Sequence, residues 1–168
     1  MLGSYRIARE RTQAQAGGID RQALFQSWFR DSVHGLYIAE GLRFEGDATR
    51  FSGISLNPLY APEGSPADIA WTLQPGPAGV EVVYSEEGRE RWRLPLAGGA
   101  GARFRYLDAE GRVHAEWPPA RGLVAAGPSL PAVILLERGE DGRAGVQAAA
   151  VLGPLTPPTR LYGEEQLQ

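Results

Sequence analysis

Two residue types are missing from the chain, and each absence excludes several kinds of site. There is no cysteine among the 168 residues, so disulfides, thiolate metal sites and a cysteine nucleophile are excluded. There is no lysine either, because all 17 basic residues are arginine. A Walker-type phosphate loop, a Schiff-base lysine and a lysine general base are therefore excluded as well.

Long apolar runs and an excess of positive charge are also absent. No stretch approaches the ~18 apolar residues of a membrane-spanning helix, and no signal-peptide pattern precedes Gly3. The formal net charge is −3, which provides no basic footprint for nucleic acid. The length fits one domain, residues 1–168, with a single core. We expect either a cytosolic chain or one whose targeting segment lies upstream of Met1.

The longest helical pattern lies at the N-terminus, where residues 4–36 are predicted to form a helix. Its second half carries an apolar stripe at the i, i+3, i+4 spacing of a helix that packs on a core. The stripe consists of Leu24, Phe25, Trp28, Phe29 and Val33. The first half is mainly polar and charged, so it lacks the side chains for deep packing. We therefore predict a helix that is docked over its second half and projects over its first.

Gly17 and Gly18 interrupt this helical pattern, and two interpretations are open. Each glycine costs up to about 1 kcal/mol relative to alanine inside a helix. The chain could form two helices, with Asp20 as the N-cap of the second. The alternative is one long helix that bends or frays at the glycines.

Residues 41–152 show the alternation and turn signals of about eight short strands. Two hairpins are predicted, one around Glu86-Glu87-Gly88 and one around Asp108-Ala109-Glu110-Gly111. The remaining strand signals are a short candidate at 42–44, a strand that stops at Pro75-Gly76-Pro77, a buried strand in the unbroken apolar run 132–136, and a last strand within 144–152. Prolines predict a loose tail over 153–168. The predicted fold class is α+β, with the long N-terminal helix packed on antiparallel sheet.

The residues that carry chemistry form no recognisable catalytic or metal-binding pattern. His34 and His114 lack the spacing of a metal site, and neither has an evident catalytic partner. The acidic residues before Gly88, Gly111 and Gly142 are better explained by turn formation than by calcium ligation. Four tryptophans suggest sugar stacking as an alternative, although tryptophan on a strand is more often in the core: Trp28, Trp71, Trp92 and Trp117. We expect no enzymatic activity, no cofactor and no catalytic metal.

The second predicted hairpin and the segment after it resemble a known family. Phe104-Arg105-Tyr106-Leu107-Asp108 with Gly111, then Trp117-Pro118, then Leu130-Pro131-Ala132-Val133, follow each other in order. This pattern is similar to the C-terminal half of the J-type minor pseudopilins of type II secretion systems. The resemblance implies a pilin-like fold and one bent helix through Gly17-Gly18. It also implies a membrane-embedded helix half upstream of Met1.

The resemblance implies a role in assembly and not in catalysis. J-type proteins join I- and K-type minor pseudopilins in the tip complex of a periplasmic pseudopilus, which initiates assembly and contacts secreted substrate. The expected location is the periplasm, with an anchor in the inner membrane. On this basis partners would bind the helix face that holds Tyr5, Ile7, Ala8, Arg9 and Arg11. A minor pilin of a type IV pilus and a β-rich ligand-binding module remain as alternatives.

Overall fold

A computed structural model describes residues 18–120 and 127–159. It contains one helix in this part of the chain, α1 (Gly18–His34), and ten strands. The strands are β1 (Leu36–Tyr37), β2 (Glu45–Gly46), β3 (Arg50–Ser55), β4 (Ala67–Gly76), β5 (Gly79–Glu86), β6 (Arg89–Pro95), β7 (Arg103–Leu107), β8 (Val113–His114), β9 (Val133–Arg138) and β10 (Gly145–Ala150). A short 3₁₀ turn, Glu140–Gly142, separates the last two strands.

The strands form two antiparallel sheets. Sheet A has the order β1-β3-β4-β5-β6, and β2 pairs with the same strand, β3, that β1 pairs with. Strand β1 pairs with the C-terminal half of β3, where Leu36 lies opposite Ser55, and β2 pairs with its N-terminal half, where Gly46 lies opposite Phe51. Sheet B has the order β10-β9-β7-β8. Every pairing is antiparallel, which agrees with the hairpins expected from the turn residues.

The apolar stripe of α1 packs into a core that both sheets share. All five predicted stripe residues are buried, which confirms this prediction. The ring of Phe29 is fully buried, and its centroid lies 5.6 Å from Trp71 and 6.1 Å from Phe51 in sheet A. The same ring lies 6.4 Å from Phe104 in sheet B. Because one helix residue contacts aromatic rings of both sheets, α1 holds the two sheets together.

The C-terminus of α1 is fixed by side chains of sheet A. Ser55 donates a 2.8 Å hydrogen bond to the carbonyl of Ser32, and the Asn57 amide donates one of 3.0 Å to the carbonyl of Asp31. The indole of Trp71 donates to the Ser32 hydroxyl at 3.0 Å. The last carbonyls of a helix have no partner within the helix. Here sheet A supplies the donors, so the helix cannot slide along the sheet without losing them.

The predicted helix and fold class need correction. The helix ends at His34 and not at residue 36, because Leu36 pairs with Ser55 as β1. A Cβ at Gly35 would lie 2.6 Å from Asn57, so the chain leaves the helix at a residue without a side chain. Residues 4–17 of the predicted helix lie outside the described residues. Asp20 lies inside the helix that begins at Gly18, so it is not an N-cap.

The prediction of an α+β fold with a long N-terminal helix packed on sheet, in a pilin-like arrangement, is therefore wrong. The described chain is mostly antiparallel β-sheet with one helix of 17 residues. The physical reason is that the side chains with which α1 packs on the sheets are confined to its apolar stripe. Most of the core comes instead from alternating strand residues on the facing sides of the two sheets.

Both predicted hairpins are present, with changes in detail. Glu87 and Gly88 have positive φ values of 52° and 73°, as in the two-residue turns that suit the twist of a hairpin. The second hairpin keeps its turn, but β8 is only two residues long. Pro75 does not stop its strand, since it pairs with Val80 in a third hairpin made by β4 and β5. The strand candidate at 42–44 is wrong, because β2 lies at 45–46.

Strand β9 is buried on one face only, although its unbroken apolar run predicts a buried strand. Ile134 and Leu136 are fully buried against the core. Val133 and Leu135 alternate with them and are partly exposed on the other face of sheet B. The predicted tail is described as far as residue 159. There Leu155 packs against the core, and its carbonyl accepts a 2.8 Å hydrogen bond from the Leu130 amide.

A buried carboxylate fixes the segment between β3 and β4. Glu86 is only 2% exposed, and it accepts hydrogen bonds from the amides of Tyr60 at 3.1 Å and Ala61 at 2.6 Å. The Tyr84 hydroxyl also donates to it at 2.7 Å. These donors satisfy a charged group that would be costly to bury alone. The segment is therefore bound to sheet A through side chain to backbone contacts.

The core position of α1 leads to a stability prediction. Phe29→Ala and Trp28→Ala should each lower the free energy of unfolding by about 3–5 kcal/mol, as truncations of buried aromatic side chains do. Gln26→Ala, on the exposed face of the same helix, is the matched control and should be within about 0.5 kcal/mol of the wild type. Urea unfolding followed by tryptophan fluorescence measures the stability of Phe29→Ala and Gln26→Ala. Circular dichroism measures all three variants. Equal losses for Gln26→Ala and Phe29→Ala would contradict this packing.

Candidate functional site

The two sheets meet at a junction formed by residues 46–50. The amide of Gly46 donates to the carbonyl of Trp117 at 2.9 Å, and the Trp117 amide donates back to the Gly46 carbonyl at 2.7 Å. The Phe104 amide donates to the carbonyl of Ala48 at 2.8 Å. The Tyr106 hydroxyl donates to the carbonyl of Asp47 at 2.6 Å. Residues of sheet B and of the segment after it therefore hold a single loop of sheet A.

The side chain of Asp47 shapes this loop. Its carboxylate accepts hydrogen bonds from the Thr49 amide at 2.7 Å, the Thr49 hydroxyl at 3.0 Å and the Arg50 amide at 2.9 Å. Partial burial raises the pKa of Asp47, but the hydrogen bonds from Thr49 and Arg50 together outweigh it, so the net pKa lies below its ordinary value. The ionised carboxylate therefore organises the turn that carries the junction.

Trp117 fixes the segment that crosses from sheet B to sheet A. It is 4% exposed, and its indole donates to the carbonyl of Ser129 at 3.0 Å. The following peptide bond, Trp117–Pro118, is cis, which turns the chain sharply at this point. The ring of His114 lies edge-on to the indole, with 5.8 Å between centroids. Strand β8 is short because the chain leaves sheet B here to pair with Gly46.

Two open clefts adjoin the junction and share Glu45 and Pro118 as walls. The first has a volume of about 440 Å³ and is lined mainly by apolar groups, among them Leu42, Phe44 and Pro128. The second has a volume of about 360 Å³ and is lined by charged and polar groups. Its charged residues are Glu45, Asp47, Arg50 and Glu116. Clefts of this size lie within the usual range of small-molecule binding pockets.

One pair of side chains near the junction has a close acid–base contact. His114 and Asp108 form a close pair, with 2.8 Å between Nε2 and Oδ2, but no hydroxyl in the described ranges hydrogen-bonds to the His114 ring. A nucleophile, a base and a group that orients the base must lie within hydrogen-bond reach of one another for acyl transfer. Within residues 18–120 and 127–159, no three His, Asp or Glu side chains converge so that they could hold a metal ion.

Asp108 also stabilises the turn between β7 and β8. It is buried, and its Oδ1 accepts from the amides of Glu110 at 3.0 Å and Arg112 at 2.9 Å. The hydrogen bond from His114, followed by those from the two amides, lowers the pKa of the Asp108 carboxyl. The residue pair thus has a structural explanation as the closure of the hairpin.

The predicted partner-binding residues cannot be placed. Tyr5, Ile7, Ala8, Arg9 and Arg11 all lie outside the described residues. His34 is the last residue of α1, where Ser55 and Asn57 donate to the nearby helix carbonyls. No described helix is long and apolar enough to cross a membrane.

The tryptophans considered for sugar stacking are mostly in the core. Trp28, Trp71 and Trp117 are buried, and Trp92 packs against Trp28 with 5.0 Å between centroids. The clefts at the junction were not predicted from the sequence. Glu116-Trp117-Pro118-Pro119 was the one local signal there, and it does not indicate that Trp117 pairs with Gly46.

Comparison with known proteins does not identify a family. No protein-family model matches the chain, and no curated protein shows significant similarity to it.

The close packing at the junction predicts that a side chain at Gly46 destabilises the fold. A Cβ at this position would overlap the phenol ring of Tyr106, so Gly46→Ala should lower the free energy of unfolding by about 1–3 kcal/mol. Gly127→Ala is the matched control on the wall of the first cleft, because a Cβ there would meet no atom within 4 Å. It should be near neutral in chemical denaturation. A neutral Gly46→Ala would show that sheet A and sheet B are not held this closely.

The Asp108–His114 pair predicts a pH dependence. Because the folded state lowers the pKa of Asp108 from its ordinary 3.8, its stabilising contribution is present above that value and is lost as pH falls through the folded pKa. Asp108→Asn should therefore have a lower free energy of unfolding than the wild type at pH 7. This difference should become smaller below about pH 4. Urea unfolding from pH 3 to pH 7 measures this. Glu110→Gln, in the same turn, should follow the wild type throughout, and a gap for Asp108→Asn that is constant with pH would refute the assignment.

Proposed function

We propose that this chain is the β-rich domain of a J-type minor pseudopilin, a structural component of the tip complex of a type II secretion pseudopilus. In this role it initiates pseudopilus assembly and takes part in protein secretion. The supporting observation is that three residues that carry the family resemblance, Phe104, Tyr106 and Trp117, all hydrogen-bond to the 46–50 loop at the junction of the two sheets.

The first two parts of the resembling pattern lie at the junction or in the hairpin beside it. Phe104 and Tyr106 are fully buried, and both hydrogen-bond to the 46–50 loop. Asp108 closes the hairpin turn, and Trp117 pairs with Gly46. Separate parts of the pattern thus bind the same loop, which supports the proposal.

The docking of α1 is the second feature that suits a role in assembly. Phe29, Trp71 and the donors from Ser55 and Asn57 fix the helix to the sheets. Residues 1–17 are covalently joined to the start of this fixed helix. In the proposal, I- and K-type minor pseudopilins bind the segment with Tyr5, Ile7, Ala8, Arg9 and Arg11. Because α1 is fixed to the sheets, it connects this bound segment to the β-rich domain.

The proposal includes a location and a membrane anchor. The domain would lie in the periplasm, and an apolar segment encoded upstream of Met1 would anchor it in the inner membrane. A G-F-T-x-x-E motif followed by ~20 apolar residues in the upstream coding sequence would support this. Pilus genes beside the coding sequence, in place of secretion genes, would instead assign the chain to type IV pili. Burial of three tryptophans leaves the sugar-stacking alternative without support.

Co-purification with the I- and K-type proteins encoded nearby tests the proposed function. The intact chain should form a complex with them, and deletion of residues 1–16 should abolish it. Arg9→Glu with Arg11→Glu should weaken the complex at least tenfold, because the charge of the proposed contact segment is reversed.

Arg21→Glu with Arg30→Glu provides the matched control, since both residues are exposed on α1 outside the proposed segment. This variant should bind like the wild type. If the intact chain forms no complex with either protein, the proposed function is wrong. If the complex survives the deletion, the partners bind another surface.

A further inference from the structure

The outer face of sheet B is unusually apolar for a face turned away from the core. Phe104, Tyr106, Ile134, Leu136 and Ala149 point inward and are buried. The alternating residues of the same strands point outward. We call this outward side the sheet B face, and its apolar residues are Leu107, Val113, Val133, Leu135, Val146, Ala148 and Ala150.

The register places these residues in continuous rows across the strands. Leu107 lies opposite Val113 on one side and Val133 on the other, and Val133 lies opposite Ala150. Leu135 lies opposite Ala148 in the next row. Val113 and Val146 are 47% and 56% exposed. An antiparallel sheet with one solvated side normally alternates apolar and polar residues, so this face has the composition of a sheet that is covered on both sides.

Arg105 lies within this apolar face, in the same row as Leu135 and Ala148. Among the described residues it has no anionic partner, and its Nε is buried without a hydrogen-bond partner. The neighbouring Arg103, by contrast, donates to Glu137 at 2.7 Å. A buried donor that lacks an acceptor is unfavourable, and a carboxylate is the acceptor that fits a guanidinium group best.

We infer that the sheet B face binds a protein segment that presents apolar side chains around one carboxylate, and that this carboxylate pairs with Arg105. The inference goes beyond the proposed function, because it places a contact surface away from the N-terminal segment and does not depend on pseudopilus assembly. The apolar rows provide the contact area, and Arg105 selects the partner by charge. Arginine is enriched among the residues that dominate binding energy at interfaces.

The charge distribution favours a different protein over a second copy of this chain. A two-fold dimer through the sheet B face would bring together two faces that each carry one uncompensated positive charge, because Arg103 and Glu137 of each face neutralise each other. Like net charge in a desolvated interface opposes association. An acidic, apolar segment meets no such opposition and supplies a carboxylate for the guanidinium group of Arg105.

Selection of peptides from a random display library on the immobilised full chain tests the inference. Enriched sequences should contain Asp or Glu flanked by apolar residues. Synthetic peptides of those sequences should bind Arg105→Glu at least tenfold more weakly than the wild type. Ala148→Arg should weaken binding to a similar extent by obstructing the face, and because Ala148 is exposed this change leaves the core intact. Arg89→Glu, an exposed arginine on sheet A, is the matched control and should bind normally.

Each other outcome would overturn the inference. Selected peptides that lack acidic residues, or that bind Arg105→Glu and Ala148→Arg as well as the wild type, would show that this face does not recognise such a segment. Failure to enrich any sequence would do the same. Dimerisation of the wild type in analytical ultracentrifugation that Ala148→Arg abolishes would identify a second copy as the occupant. None of these results depends on the presence of secretion proteins, so the proposed function is tested separately.

Discussion

The packing of Phe29 between the two sheets is the contact on which the rest of the structure depends. Its ring contacts Trp71 and Phe51 on one side and Phe104 on the other. Neither sheet could bury its inner face without the helix, because the helix residues fill part of the space between them. The hydrogen bonds from Ser55 and Asn57 then fix the position of the helix along the sheet. Hydrophobic packing thus provides the stability, and the buried polar contacts provide one defined arrangement.

Local patterns in the sequence predicted those elements whose signals are local. The stripe of α1 and the turn at Glu87-Gly88 depend on residues within a few positions of one another, and both predictions are confirmed. The predicted end of the helix was wrong. Leu36 continues the apolar spacing of Val33, but Leu36 pairs with Ser55, and Asn57 leaves no room for a side chain at Gly35.

The candidate site was harder to predict for the same reason. Strand β2 is two residues long, and its contact with Trp117 joins positions about seventy residues apart, for which a single sequence contains no periodic signal. The apolar run at 132–136 predicted strand β9 correctly but could not show that Val133 and Leu135, on its outer face, are only partly buried. The composition of the run nevertheless agrees with a binding role for this face, because an unbroken apolar run is typical of a strand that is covered on both of its faces. A binding surface can thus be encoded as an excess of hydrophobic residues over what the fold itself buries.

The buried carboxylate of Glu86 has a consequence for motion. The segment between β3 and β4 contains prolines and a glycine, and its sequence is typical of a mobile loop. The amides of Tyr60 and Ala61 are nevertheless bonded to a side chain that is anchored in a central strand. Their protons can exchange with solvent only when that carboxylate is released, an event coupled to opening of the strand itself. These amide protons should therefore exchange together with those of sheet A, although the two residues lie outside its strands.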